Sequence, residues 1–190
     1  MTPVDELEVK ARVDAPAALV RALDAAGARL VFRGTMSDRR YDQNGMLEAR
    51  DEIVRLRIYQ PSDGAAGWGV LGWKGPVGPR DTYRHRPEAE TRVTDAEVAA
   101  ELLERLGLAV SLRIDRDIEQ YTLGEAVLRI ERYPGMDTLI EVEGPPAAIE
   151  RAIAATGLPR TAFLPESLPH FVADYERRTG RRARLAATDP

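Results

Sequence analysis

The sequence predicts an α+β fold, an eight-stranded antiparallel β-barrel with helices packed on its outside. Three observations predict it. Apolar and charged residues alternate along segment after segment, the period-two mark of strands. The connections are mostly short and rich in Gly, Pro, Asn and Asp, which favours antiparallel pairing. The polar face of one strand after another carries Arg, Lys and Glu. A closed barrel can turn such a face inward, leaving the apolar faces and the helices to form a core outside it.

Residues 5–13 alternate strictly, with Glu6, Glu8, Lys10 and Arg12 on one face and Leu7, Val9, Ala11 and Val13 on the other. Asp14 is placed to cap a helix over about 15–26, with Pro16 in its first turn, Leu19, Val20 and Leu23 on one stripe, and Gly27 at its end. Residues 28–42 read as a strand closed by an Asn44-Gly45 turn. Residues 52–60 set Arg55, Arg57 and Tyr59 opposite Val54, Leu56 and Ile58, and a turn at 61–64 leads to a strand over 68–75. After a Gly/Pro-rich loop, residues 82–93 keep Arg84, Arg86, Glu88, Glu90 and Arg92 in phase. Thr94-Asp95-Ala96-Glu97 reads as a capping box opening a helix of about 95–106. Strands follow at about 110–121, 125–133 and 137–143, then helices near 146–156 and 168–178. Residues 1–180 are expected to form one domain and 181–190 a flexible tail.

Composition excludes several function classes. The 190 residues suffice for one domain with a sizeable core. A net charge of −4 gives no global attraction to nucleic acid or an anionic membrane. The absence of cysteine excludes disulfides, thiolate catalysis and cysteine-bound zinc, and two histidines, His85 and His170, are too few for a histidine-rich metal site. With no signal segment and no apolar run of membrane-spanning length, the expected location is cytoplasmic.

The charged faces suit a polyphosphate. A triphosphate needs several fixed cations, preferably guanidinium forks, and a hard divalent ion held by carboxylates. Both sets are in phase on strands: the cations Lys10, Arg55, Arg57, Lys74, Arg86 and Arg129, and the carboxylates Glu6, Glu8, Glu88, Glu90, Glu131, Glu141 and Glu143. The bland alternative for any one strand is a solvated face.

The opening strand Glu6-Leu7-Glu8-Val9-Lys10 resembles the Glu-x-Glu-x-Lys signature of the CYTH superfamily, the triphosphate tunnel metalloenzymes. Further matches follow in the family's order: Tyr41-Asp42 with Asn44-Gly45, Leu56-Arg57, Trp73-Lys74-Gly75-Pro76, Arg86 with Glu88 and Glu90, and Ile140-Glu141-Val142-Glu143. The resemblance covers roughly residues 5–144 and implies an eight-stranded tunnel. It implies Mg2+ or Mn2+ held by Glu6 and Glu8, with Glu141 and Glu143 completing the site and Glu90 holding a second metal or orienting an arginine. Lys10, Arg55, Arg57, Lys74, Arg86, Arg116 and Arg129 would bind substrate phosphates, and Glu8, Lys10 and Glu131 would be catalytic. One departure stands out: the family often has Lys-x-Arg-x-x-Tyr on the sixth strand, where this chain has Arg116, Ile118 and Tyr121. Either a bulge changes the facing of this strand, or this wall grips phosphate less well.

Other conspicuous residues read as structural. His85 is out of phase with the charged face, and His170 reads as surface. Trp68 and Trp73 read as packing residues, and Arg39-Arg40 as a solvated pair. The loop at 75–79 lacks the Lys-Ser/Thr step of a phosphate-binding P-loop. The leading reading is a metal-dependent hydrolase of inorganic triphosphate or small organic triphosphates such as thiamine triphosphate or ATP. Class IV adenylate cyclase and a non-catalytic polyphosphate or nucleotide binder remain as alternatives, and a homodimer is left open.

Overall fold

A computed structural model describes residues 4–78 and 82–187, with side chains described from Leu7 onward. The strands are Val4–Arg12 (β1), Arg29–Asp42 (β2), Ile53–Pro61 (β3), Trp68–Lys74 (β4), Arg84–Val93 (β5), Ala109–Leu123 (β6), Ala126–Arg132 (β7) and Leu139–Glu143 (β8). The helices are Pro16–Ala25 (α1), Ala96–Arg105 (α2), Pro146–Thr156 (α3) and Leu168–Thr179 (α4). The strands close into one antiparallel barrel in the order β1-β5-β4-β3-β2-β6-β7-β8, as the period-two pattern predicts.

The apolar faces point outward and are covered there. α1 and α3 lie over β1, β7 and β8, burying Val9, Ala11, Leu19, Leu23, Leu128, Ile130, Ile140, Val142, Ile149 and Ile153 in one cluster. α2 covers Tyr41 and Leu56 with Ala99 and Leu103. α4 does something else. Its Leu168 and Phe171 pack on Ile114, Tyr133 and Leu139. Ile114 and Leu139 pair in register with the inward-facing Asp38 and Glu131, so α4 covers part of one barrel mouth.

Two local expectations are corrected. Asp14 does not cap α1; the N-cap is Ala15 with no side-chain bond, because Arg12 holds the Asp14 carboxylate at 3.0 Å. The cap of α2 is Asp95 rather than Thr94, and one Asp95 oxygen accepts from the amides of Glu97 and Val98. Part of the expected tail makes contacts with the barrel. Arg184 pairs with Gly135, Asp115 donates its amide to Leu185, and Ala186 is buried, so backbone bonds and apolar packing hold residues 184–186. No helix among the described residues is long and apolar enough to cross a membrane.

Candidate functional site

Register fixes which side chains enter the barrel. Lys10 on β1 faces Glu141 on β8, Glu141 faces Arg129 on β7, and Asp38 on β2 faces Arg57 on β3. Lys74 on β4 sits opposite Glu88 on β5, and Glu6 opposite Arg86. The alternating charged faces therefore converge inside, around a cavity of about 500 Å³ lined by Glu8, Lys10, Arg55, Arg57, Lys74, Arg86, Arg116, Arg129, Glu131 and Glu141, among others.

Most of the cations inside are held by carboxylates. The Lys10 ammonium bridges Glu8 at 2.9 Å and Glu141 at 2.5 Å, and Arg129 bonds the other Glu141 oxygen at 2.6 Å. Burial opposes the charge on Glu141, but Lys10 and Arg129 outweigh it and hold its pKa well below the usual carboxylate range. Burial likewise opposes the charge on Lys10, yet Glu141, Glu8 and Glu131 keep its pKa raised. Lys74 pairs with Glu88, and Arg55 and Arg57 both reach Glu90. These pairs offset the cost of bringing so many charges into one partly buried space.

Several of the named residues are engaged by other groups of the chain. Arg116, named a phosphate contact, is clamped between Asp38 at 3.0 Å and Glu131 at 2.9 Å, with its guanidinium over the Tyr133 ring. Tyr133 donates to the other Glu131 oxygen at 2.5 Å. Arg86 ties loops together through the carbonyls of Gly75 and Asp51 and the Asp51 carboxylate. Glu90 and Glu143 line a second cavity of about 570 Å³ at the far end of the barrel, which shares Arg57 and Arg129 with the first. Glu90 is bound to the two β3 arginines.

The sixth-strand departure now has a geometry. The register shifts of β6 against β2 fall between Leu30 and Phe32 and between Arg40 and Tyr41, outside the stretch from Ile114 to Ile118. Ile118 therefore faces inward like Arg116 and packs on Met36 and Tyr59, with Phe32, Trp68 and Val70 around them. Tyr59 and Trp68 stack at 5.2 Å and 11°, and Phe32 meets both rings edge-on. Trp68 is a packing residue, as expected, but inside the barrel.

Two site residues escaped the sequence reading. Asp38 is fully buried beside Arg116, with one carboxylate oxygen lacking any hydrogen bond. Arg55 and Arg116 hold its pKa low against the effect of burial. Arg40 lines the main cavity, which corrects its reading as half of a solvated pair. Arg39 does lie outside, on Asp115 at 2.7 Å. The available signal was phase: Asp38 and Arg40 share a face with Met36.

A divalent ion of the kind the sequence resemblance implies calls for hard oxygen donors. Glu8 and Glu143 are cross-strand neighbours, and Glu8 and Glu141 share one ammonium. Like charges side by side on a sheet need a cation between them. The donor chemistry of this wall fits a divalent ion, which would compete with Lys10 for the same oxygens. Among the described residues no three acidic or histidine side chains form a ready cage. The side chain of Glu6, a named ligand, lies outside the described residues.

Solved structures share this architecture. A candidate adenylate cyclase from Vibrio parahaemolyticus superposes with a TM-score of 0.73 at 21% identity, covering 88% of this chain and 97% of that one. The candidate adenylyl cyclase HpAC1 from Hippeastrum, reported to have a dominant triphosphatase activity, gives 0.65 at 18% identity, covering 95% and 98%. A chain of the Schizosaccharomyces pombe Mediator head module gives 0.59 at 16%, covering 80% and 90%. No protein-family model and no curated protein matches the sequence.

Proposed function

We propose that this chain, which has the closed β-tunnel fold of the CYTH superfamily, is a divalent-metal-dependent hydrolase of inorganic triphosphate or small organic triphosphates. One observation carries the reading. Around the 500 Å³ cavity the Nε atoms of Arg40 and Arg57 are buried without hydrogen-bond partners. Buried donors are nearly always satisfied, and a polyanion with many acceptor oxygens satisfies several guanidinium groups at once.

Lys10, Arg55, Arg57, Lys74 and Arg129 would bind the phosphates, giving up carboxylate partners to do so. Glu8 and Glu141, with Glu6 and Glu143 beside them, would hold the divalent ion, which supplies neutralising charge to the phosphate oxygens. Glu131, fixed by Arg116 and Tyr133, lines the cavity and would accept a hydrogen bond from the attacking water. Positioning and charge neutralisation suffice for phosphoryl transfer, without a covalent nucleophile.

Hydrolysis is favoured over cyclisation by the aromatic inventory. Among the described residues the rings lining the main cavity are Tyr41 and Tyr133, and Tyr133 is engaged by Arg116 and Glu131. The stacked pair Tyr59 and Trp68 lies at the far end, with Arg92 over the indole at 5.1 Å. No open platform for a purine faces the phosphate cations among these residues. The test supplies inorganic triphosphate, thiamine triphosphate and ATP with magnesium or manganese, and measures released phosphate and cyclic AMP. Phosphate release is expected. Cyclic AMP without phosphate release sinks the hydrolase reading, and binding with neither product turns it into a sensor.

A further inference from the structure

Arg40 differs from the cations around it. It stands in register with Arg55 on β3 and Leu112 on β6, one inward step from Asp38, and lines the main cavity. Lys10, Arg57, Lys74, Arg116 and Arg129 each hold a carboxylate by a direct ion pair. The Arg40 guanidinium makes no hydrogen bond or ion pair among the described residues, and its Nε is buried. Asp38, the acid that acts most strongly on it, gives one oxygen to Arg116, and its other oxygen makes no hydrogen bond.

An unpaired cation in such a place is costly. Burial, together with Arg55 and Arg116 and in spite of Asp38, pushes the Arg40 pKa down to about 10. A neighbouring solution was available to the same strand, since Arg39 turns outward and pairs with Asp115. The Arg40 side chain instead lines the cavity where phosphate would lie. At the paired cations a phosphate must displace a carboxylate, and a metal is needed to take that carboxylate over. At Arg40 nothing has to be displaced.

We propose that Arg40 is a substrate-binding residue that takes a phosphate oxygen without any metal, so that the tunnel holds triphosphate weakly before the divalent ion arrives. This rests on the triphosphatase reading above. The pairing gives the order: Arg40 can take the anion first, because the other cations would first have to give up their carboxylates.

The experiment is calorimetric titration of inorganic triphosphate into the protein in chelator, followed by phosphate release with magnesium. Wild type is expected to bind in chelator, and Arg40→Gln to bind roughly ten- to a hundredfold more weakly, the range of a hydrogen bond to a charged group. Arg40→Lys should recover most of that loss, and Arg39→Gln should stay within about twofold of wild type, its side chain lying outside the cavity. Metal-free affinity in Arg40→Gln equal to wild type, or no metal-free binding by wild type at all, overturns the proposal. So does a fall in melting temperature in both Arg40 variants that accompanies the lost binding, which assigns Arg40 to the fold. The two readings fail separately. Wild type that binds in chelator through Arg40 but never releases phosphate refutes the hydrolase alone. Wild type that hydrolyses while Arg40→Gln keeps its metal-free affinity refutes the role of Arg40 alone.

Discussion

The interior of the barrel has two halves built on the same strands with the same period. Toward one mouth the inward residues of β2 and β3 are Asp38, Arg40, Arg55 and Arg57; toward the other they are Phe32, Met36 and Tyr59, joined by Ile118 of β6. The change takes one inward step. In the charged half every one of these groups except Arg40 is fixed by a partner of opposite sign, and such partners can be exchanged for a ligand. In the apolar half the side chains fix one another by shape, and no ligand of phosphate chemistry can replace them. Alternation alone tells which way a residue points. It does not tell whether the space it enters is wet.

Substitutions can break this contrast. The largest effect is expected for Lys10→Ala, which removes the ammonium shared by Glu8 and Glu141. Triphosphate turnover should drop by on the order of 10²–10³, the scale of losing one preorganised charge contact. Unchanged steady-state kinetics would remove the tunnel site from the mechanism. Next comes Arg116→Ala, which strands Asp38 and Glu131, exposed by 0% and 1%. Denaturant unfolding should report a loss of about 3–5 kcal/mol, the cost of leaving a buried charge unpaired. Ile118→Ala, in the apolar half, should cost about 2–5 kcal/mol by cavity formation while the KM for triphosphate stays near wild type. A large KM change there would mean that the two halves are not separate.

Acid provides a milder probe. The pKa values of Glu141 and Asp38 are lowered by Lys10 and Arg129 and by Arg55 and Arg116, respectively, in each case against burial. Groups with depressed folded pKa values contribute stability that is fully present above the unfolded pKa, about 4, and lost as pH falls through the folded values. Melting temperature should thus be insensitive to these groups above about pH 5 and fall below about pH 4. The smallest effect belongs to the solvent face of α2, where Arg105 pairs with Glu101 at 2.6 Å. Arg105→Ala should change stability by about 0.5 kcal/mol or less.

Much of this architecture was legible because period-two faces and glycine-marked turns are local signals. All eight strands and four helices fall where the pattern predicts them, within a few residues. The charged strands β1, β3, β5 and β8 also disclosed their inward sets, because charge alternates with aliphatic residues there. β2 hid its own. Its outward face carries Arg33, Thr35, Ser37 and Arg39, so Asp38 and Arg40 do not stand out by polarity. The engagement of Arg116 by Asp38, the cover that α4 lays over a mouth, and the anchoring of Arg184 and Leu185 are contacts between distant segments. Hydrophobic periodicity carries no information about them.

Barrel closure has a consequence for how the site comes into being. β1 pairs with β5 on one side and with β8 on the other, and Lys10 meets Glu141 across that last seam. The loop closed by this seam is the longest of the strand pairings, and its entropy must be spent before the seam returns any contact. Lys10 is thus made well before β8 and must wait for it before Glu141 is at hand. Until then the strand with the signature residues is a charged, half-paired edge. Its charges discourage edge-to-edge association during the wait, so the residues proposed to act on phosphate also guard the chain while it folds.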